Sequence, residues 1–214
     1  YATDKDISGN IVRNQDLNVK NSGNITIGNG SAAIYVTQNS ANKATVTNTG
    51  NITVGDSVLN PDGTVKNPAV AMFIQNGTLT TTGNVTVGNR AFAFYGKDAT
   101  INVNGGNYNF ANSGSLGYLE NSTLNYNNTG TLATSSEPLL FIENSKAILN
   151  GNDIFVSANG VGAYMTGKSE FTGWNKITLG ASSTGIYVDG ATAKVNGNSI
   201  VSTNNKAKGI VALN

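Results

Sequence analysis

The 214-residue chain has no cysteine and no histidine, and little charge of either sign. The missing thiols exclude disulfides, thiolate metal sites and cysteine nucleophiles together. The missing imidazoles remove the commonest general base and metal ligand, and with them any Ser-His-Asp triad inside this segment. Charged residues make up only 12% of the chain and the formal net charge is +1, so the dense basic stripe that nucleic acid requires is absent. Arginine occurs only at Arg13 and Arg90. No apolar run approaches the ~18 residues of a membrane-spanning helix. The start, Tyr1 to Lys5, carries neither methionine nor a signal-peptide pattern and is expected to belong to a mature or excised segment.

Against these absences stands a repeat. Gly23–Gly28 reads Gly-Asn-Ile-Thr-Ile-Gly, and close copies occupy Gly50–Gly55 and Gly83–Gly88. Weaker copies continue to the end, centred on Ile25, Ile52, Val85, Tyr108, Leu132, Ile154, Ile177 and Ile200, in steps of 27, 33, 23, 24, 22, 23 and 23 residues. A period near 23 is too long for a heptad and fits one coil of a β-solenoid. The apolar fraction, 38%, is enough to give such coils a core.

Each coil divides into three apolar strands. The first alternates cleanly: Ile25/Ile27, Ile52/Val54, Val85/Val87, Tyr108/Phe110 and Ile177/Leu179 flank Thr26, Thr53, Thr86, Asn109 and Thr178. Period two sends the apolar pair inward and the central residue outward. Before this strand stands the column Gly23, Gly50, Gly83, Gly106, Gly130, Asn152, Asn175 and Asn198, residue types that accept positive φ and so predict a left-handed turn. Two residues earlier Asn21, Asn48, Asn104, Asn128, Asn150 and Asn196 predict an amide ladder running from coil to coil.

The second strand is apolar at both parities, for example Ala71–Ile74 and Gly185–Val188. Placing Glu120 and Glu143 on the outer face predicts Tyr35, Phe73, Tyr95, Leu119, Ile142, Tyr164 and Tyr187 inward. The third strand centres on Val46, Leu79, Ile101, Leu124, Ile148, Phe171 and Val195. Three strands per coil predict an all-β fold: a parallel β-helix solenoid, right-handed by crossover chirality, of about eight coils of about 23 residues. Residues 1–214 then form a single β-helix segment.

Departures from the period mark insertions at 37–43 and 55–69, and insertions are where solenoids often make contacts. The longer one holds a Pro-Asp-Gly turn between short apolar arms, which predicts a protruding hairpin. Leu59, Pro61, Asp62, Thr64 and Val65 in it, and Gln38 in the shorter one, are candidate partner contacts. Trp174, the only tryptophan, sits at a corner, either as a stacking contact or as a plug over the core. Glu120 and Glu143 stand one coil apart, so their carboxylates should lie roughly 5 Å apart. That is also the separation in a retaining glycosidase, although no aromatic and basic sugar cleft is evident around them.

The Asn-Ser/Thr-Gly-Asn-Ile-Thr-(Ile/Val)-Gly unit, the Gly-Ile-Tyr-Val strand at Gly185–Val188 and the Asn/Thr/Gly-rich, low-charge background resemble the passenger domain of a bacterial type V autotransporter. The Asn and Lys bias is similar to that of large fusobacterial surface adhesins. The resemblance implies a β-helix displayed outside the outer membrane, tethered by a C-terminal barrel that this chain lacks, so that 1–214 is one part of a longer passenger. It implies adhesion to a protein or glycan on host cells or other bacteria. No enzymatic activity, cofactor, metal or nucleic acid is expected. The competing readings are a polysaccharide-active β-helix enzyme and a phage tail-spike or fimbrial shaft.

Overall fold

In a computed structural model, which describes residues 2–3, 15–39, 41–134 and 136–214, every regular element is a β-strand. Arg13 lies outside the described residues, as does most of the Tyr1 to Lys5 start. The strands stack in parallel as a solenoid of about 8 turns repeating about every 23 residues. Each coil hydrogen-bonds to the coils on either side, so backbone polar groups are satisfied by neighbours rather than within the coil.

The first-strand column behaves as the alternation predicts. Ile52, Val54, Val85, Val87, Ile154, Val156, Ile177 and Leu179 are buried, while Thr26, Thr53 and Thr86 face solvent. Its described strands form two sheets: one runs from Ile25–Ile27 to Tyr108–Phe110, the other from Thr131–Thr134 to Ser199–Val201. Between them opens a cleft of about 320 Å³ lined by Tyr108, Tyr126, Asn128, Gly130 and Asn152. The buried Tyr108 hydroxyl and the Asn152 Oδ1 find no hydrogen-bond partner there.

Second and third strands belong to one 15-stranded sheet, because Val161–Thr172 and Thr184–Asn196 run through the corner without interruption. On the third strand Val46, Leu79, Ile101, Leu124 and Phe171 point inward as expected. Ile148 does not: it pairs with Asn125 on the outer parity, and Ala147 takes the buried position.

The glycine column before the first strand has a different cause from the one expected. Among its glycines only Gly106 and Gly130 have positive φ, and Asn152, Asn175 and Asn198 do not. A left-handed residue recurs instead at each second-to-third corner, Asn76, Asp98, Asn121, Asn144, Gly167 and Gly190, and others stand at the first-to-second corner, Gly30, Arg90, Asn159, Ser182 and Lys206. What requires glycine at Gly83 is backbone proximity, since a Cβ there would lie 2.0 Å from the Gly50 carbonyl oxygen. The amide ladder is real but shifts between columns. Asn21 Nδ2 donates to Asn48 Oδ1 at 2.7 Å, whereas in later coils the chain runs through Asn104, Asn127 and Asn150, bypassing Asn128.

The Glu-Asn-Ser triplets at Glu120–Ser122 and Glu143–Ser145 build the second-to-third corner in two successive coils. The asparagines take the left-handed bend, and the buried serines stitch coils together, with Ser145 Oγ accepting from Ser122 N at 2.8 Å.

Candidate functional site

The second strand reverses the expected orientation of its aromatics. Parallel pairing aligns Tyr35, Phe73, Tyr95, Tyr118, Phe141, Tyr164 and Tyr187 in one column. The buried positions on either side are Ile34 and Val36, Met72 and Ile74, Phe94, Leu119, Leu140 and Ile142, Ala163 and Met165, and Ile186 and Val188. Thus Leu119 and Ile142 do point inward, but Tyr35, Phe73, Tyr95, Tyr164 and Tyr187 are half-buried on the outer face. The expectation failed through a one-residue slip: Tyr95 pairs with Tyr118, and Gly96 with Leu119. Such a slip exchanges the two faces of a strand.

The rings form a continuous stack along the rod. Centroid separations are 4.5 Å for Tyr35–Phe73, 5.1 Å for Phe73–Tyr95, 5.0 Å for Tyr95–Tyr118, 5.8 Å for Tyr118–Phe141, 6.2 Å for Phe141–Tyr164 and 5.4 Å for Tyr164–Tyr187. Phe92, the first residue of the strand Phe92–Lys97, meets Tyr118 and Phe141 edge-on. Stacked outward aromatics hold a large apolar surface in fixed geometry, each pair adding about 0.5–1.5 kcal/mol beyond area burial.

Two residues after each ring, on the same face, runs a polar column: Thr37, Gln75, Lys97, Glu120, Glu143, Thr166 and Asp189. Lys97 Nζ lies 2.6 Å from Glu120 Oε1, the Tyr118 hydroxyl donates to Glu143 Oε2 at 2.7 Å, and the Tyr164 hydroxyl donates to Asp189. Glu120 and Glu143 are register partners, as the coil spacing predicts. Each carboxylate nevertheless has its own partner, and the groove beside Glu143 does not include Glu120.

These contacts move the phenols in one direction. The hydrogen bond to Asp189, then burial, pushes Tyr164 up to about 12. Burial raises Tyr95, Tyr108 and Tyr118 and takes Tyr126 to about 12. A phenol whose folded value exceeds its unfolded value stabilises the fold below the unfolded value, and that contribution disappears as pH rises through the folded one. The thermal midpoint should therefore hold to about pH 9 and fall between 10.0 and about 12. Absorbance titration of the phenols is the check; eight ordinary midpoints near 10.0 would refute the packing described.

The long insertion is a hairpin, as predicted, with Val58–Leu59 antiparallel to Val65–Asn67. Asp62 closes its turn by accepting from Thr64 N at 2.9 Å and Thr64 Oγ1 at 2.6 Å, and these bonds hold its carboxyl below the usual range. Leu59, Pro61, Asp62, Thr64 and Val65 are all exposed. The hairpin leans against the rod. Arg90 Nη1 donates to the Gly63 carbonyl while its Nε lies 3.7 Å from Glu137 Oε1. A cavity of about 140 Å³ remains between Val65, Arg90, Glu137, Phe92 and Phe141, so the hairpin borders the aromatic column.

Comparison with protein-family models, curated proteins and solved structures finds no match to this chain. Its own geometry therefore carries the functional reading. Two of the sequence-derived contact candidates leave the surface. Trp174 is 4% exposed and stacks on Phe171 at 4.8 Å, plugging the corner because a tryptophan ring finds more apolar contact there than in solvent. Gln38 is 3% exposed, its Nε2 donating to the Gln15 carbonyl at 2.7 Å, so its amide ties an outer coil instead of meeting a partner.

Outward Glu120 and Glu143 already implied an apolar outer stripe with Tyr118 and Phe141 in it, but the alignment that adds the other five rings was missed. Its signal was the spacing: Tyr95, Tyr118, Phe141, Tyr164 and Tyr187 recur every 23 residues, and most carry a charged residue two places on. Position i+2 shares the face of position i, so the charges marked the rings as outward-facing.

Proposed function

We propose that this chain is a structural and adhesive segment of a bacterial cell-surface adhesin of autotransporter type. In this reading the rod is displayed outside the outer membrane, anchored through a C-terminal barrel, and attaches to a protein or glycan on host cells or other bacteria. The observation that carries it is the outward-facing, half-buried aromatic column bordered by the hairpin with its exposed Leu59 and Val65. Contiguous exposed apolar surface with a polar rim is the usual mark of an interaction site. The repeat resemblance supports the cell-surface setting. A catalytic role is not part of the reading, since Glu120 and Glu143 are each engaged by a neighbour and share no groove.

The test is attachment of beads coated with the purified chain to epithelial cells and to bacterial lawns. Coated beads should be retained well above uncoated ones. Shortening the hairpin between Ser57 and Pro68, and separately Leu59→Ser with Val65→Ser, should each reduce retention by about tenfold, the loss expected when central contacts are removed. Retention equal to that of uncoated beads would overturn the adhesive reading. Turnover of a polysaccharide, abolished by Glu143→Gln, would replace it with the enzymatic one.

A further inference from the structure

We propose that the groove beside Glu143 binds a compact organic cation of the alkylated-ammonium class. The groove encloses about 380 Å³ and is lined by Tyr118, Phe141, Ile142, Glu143, Tyr164 and Thr166. It lies where the aromatic column is loosest. Tyr95–Tyr118 and Tyr164–Tyr187 are stacked at 17° and 8°, so each ring covers its neighbour's face. Phe141 and Tyr164 stand 6.2 Å apart and tilted by 51°, so they are not stacked face to face, and both rings line the groove. Ring faces carry the negative end of the aromatic quadrupole and attract cations.

Glu143 supplies the charge. Glu120 is paired with Lys97, Glu137 with Arg90, Asp153 with Lys176, and Glu170 with Lys146 and Lys194. Among the described residues Glu143 has no cationic partner. Among the described residues its side-chain hydrogen bond comes from the Tyr118 hydroxyl to Oε2. That bond also bears on the kind of cation. A guanidinium fork takes both carboxylate oxygens side by side, and here it would have to share Oε2 with the Tyr118 hydroxyl. An alkylated ammonium needs no acceptor in fixed geometry and gains from ring faces and a nearby negative charge together. Three lining rings from one column beside a single carboxylate without a cationic partner therefore suit it better than arginine.

The proposal deepens the adhesive reading by naming what its aromatic face would take, and rests on that reading only for what carries the cation in nature. It is tested on the purified chain alone, so its failure and a failure of bead attachment are separate results. Phe and Tyr ring signals are followed by NMR during titration with choline chloride at constant ionic strength. Parallel titrations use 3,3-dimethylbutanol, the same shape without the charge, and argininamide.

Saturable shifts of Phe141 and Tyr164 are expected, with a Kd on the order of 1–10 mM. The neutral analogue should bind about fivefold more weakly or worse, and argininamide no more tightly than choline. Glu143→Gln should weaken choline binding by about fivefold, whereas Glu170→Gln, whose carboxylate faces Lys146 and Lys194, should leave it unchanged. No saturable shift up to roughly 50 mM, equal binding of the neutral analogue, or tighter binding of argininamide would each overturn the assignment.

Discussion

Gly83→Ala should lower the stability of the fold by more than about 3 kcal/mol, measured by denaturant unfolding followed by circular dichroism. The added methyl would lie 2.0 Å from the Gly50 carbonyl oxygen and 2.7 Å from its carbon. Both atoms are backbone, held by coils hydrogen-bonded on two sides, so neither can move aside as a flexible side chain would. Gly63→Ala is the informative contrast. Gly63 has φ +84 at the hairpin tip and nothing within 4 Å of its would-be Cβ. Only local backbone strain applies there, which costs about 1 kcal/mol. Equal losses from the two substitutions would mean that coil spacing relaxes freely at Gly83.

The second large effect separates the two faces of the second strand. Phe94 is fully buried and Phe141 half-buried, although both are phenylalanines of the same column of strands. Phe94→Ala should cost about 3–5 kcal/mol, the usual loss for a large core aromatic. Phe141→Ala removes the ring contacts with Tyr118, Tyr164 and Phe92 on a half-buried face and should cost less, about 1–2 kcal/mol. Thermal or denaturant midpoints give the ranking directly. A small loss at Phe94 would restore the outward placement of Phe94 implied by the inward Tyr95 that the sequence first suggested.

That suggestion shows where the chain was legible. Ile52, Thr53 and Val54 alternate in chemistry as well as position, so one residue type excludes the other face, and the first strand reads without error. Along Gly117–Glu120 or Leu140–Glu143 both faces are apolar, and alternation no longer distinguishes inside from outside. Register then rests on aligning coils, and aligning Gly117 with Ala93 moves every side chain of the strand to the wrong face.

The glycine column was visible, but its cause was not. Positive φ and backbone crowding both select glycine, and they are separated only by the neighbouring coil, which lies 23 to 33 residues away in sequence. Trp174 was ambiguous for a similar reason. The cavity it fills is made by Phe171 and the opposing Gly197, where an added Cβ would meet the indole at 1.9 Å. The hairpin was readable because its Pro-Asp-Gly turn is entirely local. Its placement against Arg90 and Phe92 was not, because that depends on coils it does not adjoin in sequence.

The divided first-strand column has a mechanical consequence. Coils in a rod are links in series, so axial tension is the same at every junction. Most junctions spread that load over three columns of hydrogen-bonded strands. Between Tyr108–Phe110 and Thr131–Thr134 the described strands do not pair, and the load falls mainly on the other two columns, helped by corner bonds such as Ser136 N to the Asn112 carbonyl. Under shear from a flowing medium, extension would begin at this junction, releasing slack from mid-rod while the coils on either side remain wound.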